Sequence, residues 1–118
     1  MDQERQDFLY LTTKGWKTGK QHTIEIWFVG YDGKYYVLSE RRTHAHWIQN
    51  IIHDPRVLFT VNDKTLEGKA QIFDQDKESE LAIQVSKLMS TKYGWYRGLI
   101  VELIQGYIFF YTLILSNL

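Results

Sequence analysis

Residues 23–29 read TIEIWFV, which puts Ile24, Ile26 and Phe28 on one side of an extended chain and Thr23, Glu25, Trp27 and Val29 on the other. A wholly apolar side recurring every second residue is the mark of a strand facing a core. Tyr31-Asp32-Gly33-Lys34 follows as a turn and 35–38 as the returning strand, so this region predicts a hairpin. A second hairpin is predicted downstream. There Val57, Phe59 and Val61 alternate with Leu58 and Thr60, Asn62-Asp63-Lys64 turns the chain, and 66–73 returns. With 8–13 as a first strand and 99–103 as a closing one, the pattern is antiparallel. A doubly wound nucleotide fold is disfavoured, because no GxGxxG follows the first strand. About six strands with only short helices between them predict a small closed or half-closed barrel, since closure removes exposed sheet edges.

Two helices are expected between these strands. In 44–52, Trp47, Ile48, Ile51 and Ile52 fall at helical spacings, Thr43 is the candidate cap and Asp54-Pro55 the stop. In 74–89, Leu81, Ile83, Val85, Leu88 and Met89 sit among charged residues, with Glu78 and Glu80 early and Lys87 late, an order that suits a helix dipole. Residues 92–98 read as an aromatic link flanked by glycine. The last stretch, GYIFFYTLILSNL at 106–118, carries no charge. Its Tyr, Phe, Thr and Ile favour a buried strand or a dimer contact; an irregular tail and membrane contact are the alternatives.

The 118 residues suffice for one domain with a hydrophobic core, 1–118. Fourteen basic residues balance fourteen acidic ones, so no global field draws the chain to nucleic acid or to an anionic membrane. Anion binding would have to be local. Cysteine is absent, which excludes disulfides and thiolate chemistry. His22, His44, His46 and His53 form neither a His-x-x-x-His nor a HExxH pattern, so no metal site is expected. The opening MDQERQD is unlike the basic start and apolar core of a signal peptide, and a cytoplasmic location is expected.

The segment most like an anion site is TTKGWKTGK at 12–20. Gly15 and Gly19 permit backbone conformations closed to other residues, Lys14, Lys17 and Lys20 bring charge, and Thr12, Thr13 and Thr18 bring hydroxyls. On its own it reads first as a solvated turn with lysines on the outside.

Taken in order, LTTKGWKTG at 11–19, IEIWFVGYDGKYYVLS at 24–39 and HWIQNIIHDPRV at 46–57 resemble the deazaflavin-dependent nitroreductases, also described as F420H2-dependent quinone reductases. That family has a split β-barrel related to the pyridoxamine-phosphate-oxidase-like flavin-binding proteins. The resemblance implies a mainly β protein, a split barrel of about six antiparallel strands with two short helices. It also implies a homodimeric oxidoreductase that binds F420 or FMN and passes hydride to a quinone-like or nitroaromatic small molecule. Cofactor contacts carried over are Lys17 and Thr18, with Lys20 as a nearby helper, for phosphate, and Trp27, Leu38 and Ser39 for the ring; Trp47 is expected either to line the cofactor site or to anchor the helix on the barrel. Arg41 and Arg42 stand where many relatives have a glycine-rich stretch, and their forked donors suit a phosphate or an acidic tail. Ser39, as a donor to the ring or the acceptor, and Tyr93 and Tyr96, on the substrate side, are the expected catalytic positions; pinning the last helix to the barrel is the equal alternative for the two tyrosines. Two rival readings remain open: a non-catalytic carrier of flavin, F420 or haem, and a structural barrel with a decayed pocket.

Overall fold

In a computed structural model, residues 7–73, 79–94 and 98–105 are described. Seven strands form one antiparallel sheet: β1 (Leu9–Lys14), β2 (Gln21–Ile26), β3 (Phe28–Tyr31), β4 (Lys34–Ser39), β5 (Arg56–Val61), β6 (Lys64–Ile72) and β7 (Leu99–Gln105). Helix α1 (His46–His53) lies between β4 and β5, after a 3₁₀ turn at Arg42–His44, and α2 (Ser79–Tyr93) lies between β6 and β7.

The strand order is β2-β1-β5-β6-β7-β4-β3, so β2 and β3 occupy opposite ends of the sheet. They are nevertheless joined through Trp27 alone. Six strand spacings would separate the ends of a flat sheet by about 29 Å, whereas a single linking residue spans about 7 Å. The sheet therefore curls until its ends meet, giving a half-barrel with its split at Trp27. This replaces the single expected strand at 23–29 by two. The N-terminal part pairs with β1, Ile24 opposite Leu11, and the C-terminal part pairs with β4, Phe28 opposite Val37. Ile24, Ile26 and Phe28 still all face the barrel core.

Both hairpin turns are two-residue turns in the left-handed region, Asp32-Gly33 (φ 53° and 78°) and Asn62-Asp63 (φ 55° and 64°). That hand matches the twist of the strands they join. Leu9, Leu11, Val37, Phe59, Val101 and Leu103 fill the barrel, with Ile48 and Ile51 inserted from α1. On the outer face, Tyr36, Leu38 and Ile100 pack beneath Val85 and Met89 of α2.

The helix boundaries differ from expectation. Ala45, not Thr43, is the N-cap of α1, and no side chain caps it; Thr43 is drawn into the 3₁₀ turn, where its carbonyl accepts from Gln49 Nε2 at 2.9 Å. Asp54 closes α1 ahead of Pro55. Lys92 and Tyr93, read as part of a link, complete the last turn of α2, and Gly94 follows at φ 89°, a conformation that favours glycine at a helix end. The expected start of the second helix at 74–78 and the segment 106–118 lie outside the described residues.

Candidate functional site

A cleft of about 920 Å³ opens between β2, the 15–18 loop, the end of β4 and the start of α1. Because β2 ends the sheet, one backbone edge of that strand is not used by a neighbouring strand. Along β2 the cleft is lined by His22, Ile24, Glu25 and Ile26, and along the β4 end by Leu38, Ser39, Glu40 and Arg41. The first turn of α1 contributes His46, Trp47, Gln49 and Asn50. That turn carries no acidic residue. An uncapped helix start leaves amide hydrogens and the positive end of the helix dipole on that side.

The loop has a defined internal structure. Gly15 N donates to Lys20 O at 2.7 Å, Gly19 N to Gly15 O at 2.8 Å, and Lys20 N to Thr18 Oγ1 at 3.2 Å. A Cβ on Gly15 would stand 2.8 Å from Thr18 Oγ1 and 3.1 Å from His22 Nε2, so a side chain there would displace those two groups from their present places. Trp16 N donates to Asn50 Oδ1 at 3.2 Å, and the Trp16 ring stacks on His53 with centroids 4.2 Å apart. Lys17 Nζ lies 5.0 Å from the centre of the same indole. Among the described residues, the backbone amides of Lys17 and Thr18 have no hydrogen-bond partner. Thr18 Oγ1 accepts from Lys20 N, which leaves its hydrogen to donate. Two free amides, a hydroxyl and an ammonium are thus grouped at one end of the cleft, a donor set suited to a phosphate or carboxylate.

The structure brings Lys17, Thr18, Leu38, Ser39, Arg41 and Trp47 to the cleft. Trp47 does so while packing against the barrel core. Ser39 is buried, and its hydroxyl donates to Arg42 O at 2.9 Å. That bond braces a turn in which Arg42 has φ 52°. Gly98 packs its backbone against the Ser39 carbonyl at φ 130°, where no side chain fits.

Lys20 and Arg42 do not line the cleft. Neither does Trp27. Its indole stacks on Tyr93 with centroids 4.3 Å apart and planes 2° apart. Tyr93 Oη accepts from Phe28 N at 2.9 Å and lies 2.9 Å from both Phe28 O and Asp7 O, so this phenol is engaged with backbone at the start of β3. Tyr96 lies outside the described residues.

Sequence reasoning did not anticipate His22, His46 or Gln49 in the cleft, nor the contacts by which Asn50 ties it together. Asn50 Nδ2 donates to Thr13 Oγ1 at 2.9 Å, a contact across 37 positions. The helical period marks the apolar face of α1 and is silent about Asn50. Beyond the cleft, at the C-terminal end of α1, Arg56 forks onto Asp54 (Nη2 to Oδ2 2.7 Å, Nε to Oδ1 2.9 Å). Those hydrogen bonds hold the Asp54 carboxyl below its usual range, against a smaller opposing effect of burial. Among the described residues no cluster of three His, Cys, Asp or Glu side chains could hold a metal ion, and no helix is long and apolar enough to cross a membrane.

Residues 2–101 match the family model described as F420H(2)-dependent quinone reductase. No curated protein matches the chain by sequence. Among solved structures, the chain is similar to HutZ, the haem storage protein from Vibrio cholerae, at 18% identity and TM-score 0.71, covering 87% of this chain and 84% of that one. It is similar to an F420-H2 dependent reductase, FDR-A, at 23% identity and TM-score 0.59, covering 84% and 95%. A domain-swapped dimer shares 20% identity at TM-score 0.62, covering 84% and 81%. These likenesses establish the fold.

Proposed function

We propose that this chain, which belongs to the F420H(2)-dependent quinone reductase family, binds a phosphorylated deazaflavin or flavin, F420 or FMN, in the cleft and serves as a reductase of quinone-like or nitroaromatic small molecules. The observation that carries the reading is the pair of unpartnered amides at Lys17 and Thr18, set beside the Lys17 ammonium at the mouth of a cleft large enough for a cofactor. When bound in reduced form, such a cofactor supplies hydride to an electron-poor acceptor.

The chain's own part is to hold and orient. Lys17, Thr18 and Arg41 bind the phosphate end, while Ile24, Ile26, Leu38 and Trp47 supply apolar wall for a ring. The free edge of β2 offers backbone groups to a ring's polar rim. Ser39 acts through the Arg42 turn, which sets where Arg41 stands. A homodimer is the assembly expected, in keeping with the family resemblance and with the domain-swapped dimer of the same fold.

Titration of the purified protein with F420 and with FMN tests the reading. Binding of at least one is expected, with affinity falling about a hundredfold when Lys17 and Arg41 are both changed to alanine. Absence of binding by the wild type would sink it. Turnover of a quinone or nitroaromatic panel with the reduced cofactor then separates an enzyme from a carrier.

A second reading has its own support: His22 and His46 line the same cleft as Lys17 and Arg41, an arrangement that offers imidazole to a haem iron and cations to its propionates. A Soret shift on haem addition that is lost in both His22→Ala and His46→Ala would favour it.

A further inference from the structure

Asn50 is 6% exposed, on a helix whose Ile48 and Ile51 pack into the core. A buried amide is tolerated only when its polar atoms are paired. Both are. A backbone N–H can only donate, so the atom facing Trp16 N must be the amide oxygen, and this fixes the side chain's orientation. Nδ2 then donates to Thr13 Oγ1, itself buried. One side chain from α1 thereby fastens two consecutive pieces of chain, the end of β1 and the start of the glycine loop.

A second contact from the same helix acts on the same loop residue. His53 lies three positions after Asn50, hence on a neighbouring part of the helix surface, and stacks on Trp16. Its ring is oriented in turn by Nδ1 against Gln49 O at 2.9 Å. Trp16 is therefore gripped at its amide by Asn50 and at its indole by His53. The next two residues along the chain are Lys17 and Thr18, whose amides remain without partners. Ile48 and Ile51 seat α1 in the barrel, so the grip is referred to the core and not to another loop.

We infer that Asn50 is a positioning residue for phosphate recognition: through Thr13 and Trp16 it holds the loop in the shape that points the Lys17 and Thr18 amides into the cleft. The inference rests on the cofactor reading above. Loss of the bond frees Trp16 to rotate, and the loop's donors then have to be ordered by the ligand at the ligand's expense. The effect falls most heavily on ligands that carry a phosphate.

The test compares ligands that share a ring and differ in the phosphate: FMN against riboflavin, and F420 against its phosphate-free deazaflavin chromophore. Each is titrated into wild type, Asn50→Leu, Thr13→Val and Thr13→Ser, with thermal unfolding measured in parallel. The wild type is expected to prefer the phosphorylated member of a pair. Asn50→Leu and Thr13→Val are expected to reduce that preference about tenfold or more, because the phosphorylated member loses more affinity than its phosphate-free partner. Thr13→Ser, which keeps the hydroxyl, is expected to retain it. Should Asn50→Leu fail to fold, the two Thr13 variants decide the matter. An unchanged preference in Thr13→Val, or equal losses for both members of a pair, would overturn the positioning role and leave the cofactor reading intact. A wild type that binds no member of either pair overturns both.

Discussion

Two regions of this barrel are built from the same materials, lysine, tryptophan and backbone amides, and they treat them in opposite ways. At the start of β3, Lys92 lies 3.7 Å from the centre of the Phe28 ring and donates to Phe28 O at 3.0 Å, while Tyr93 takes the Phe28 amide and covers Trp27. The donors named there are spent on the fold. In the 15–18 loop, Lys17 rests near Trp16 at 5.0 Å with its own amide and that of Thr18 unspent. The first arrangement closes the barrel at its split, and the second leaves donors without protein partners on a loop that lines a cleft. Charge and aromatic content do not distinguish them; hydrogen-bond satisfaction does.

The largest expected effect tests the closed region. Tyr93→Ala removes a ring stacked on Trp27 and the phenol that holds the β3 amide, and is expected to cost roughly 3 kcal/mol of stability. Chemical denaturation measures it. Ligand affinity of the folded protein is expected to stay within about twofold of wild type. A large loss of affinity with little loss of stability would reverse the comparison and return Tyr93 to the site.

A matched pair of substitutions sharpens the contrast. Lys92→Met keeps the stem and deletes the ammonium, losing a cation–π contact and a hydrogen bond to Phe28 O, with an expected cost of about 1 kcal/mol and no change in FMN or F420 affinity. Lys17→Met is expected to do the converse: stability within about 0.5 kcal/mol of wild type and affinity down about tenfold. Thermal unfolding and ligand titration on the same two samples give all four numbers. If both variants move the same observable, the two lysines are not differently employed.

What could be read from the sequence follows from what periodicity reports. Alternation fixed which side chains of 23–29 face the core, and Ile24, Ile26 and Phe28 do so. It could not reveal that the run changes partners at Trp27, because facing is a property of one strand and pairing is a property of two. The turns at Asp32-Gly33 and Asn62-Asp63 were legible because their chemistry is local. In the site, Lys17 and Thr18 were visible as composition. Asn50 was visible as part of the helix motif but its role was not, since that lies in contacts 34 and 37 positions away. Tyr93 reads in the sequence as part of a link beside Gly94, whereas it ends α2, and contacts 65 positions distant seat it at the barrel's split, in line with the pinning alternative.

The smallest effect concerns Asp54, which ends α1 with its charge paired on the surface and not directed at the cleft. The Arg56 fork lowers the carboxyl's folded pKa relative to its value of 3.8 in the unfolded chain. A depressed carboxylate pKa stabilises the folded state at pH above the unfolded value, and that contribution is lost as pH falls through the folded one. Stability due to this pair should thus be full at neutral pH and fade only below about pH 4. Asp54→Asn keeps an acceptor for the Arg56 amide, which Asp54 Oδ1 receives at 3.2 Å, and deletes the charge together with the second oxygen that accepts from Arg56 Nη2. The difference between wild type and Asp54→Asn is expected to be under about 1 kcal/mol at pH 7 and to shrink with added salt. It should vanish as the carboxyl protonates, and pH-dependent denaturation follows both limbs. A difference that grew on acidification would mean that another group titrates with Asp54, and the pair could no longer be treated as a surface charge apart from the cleft.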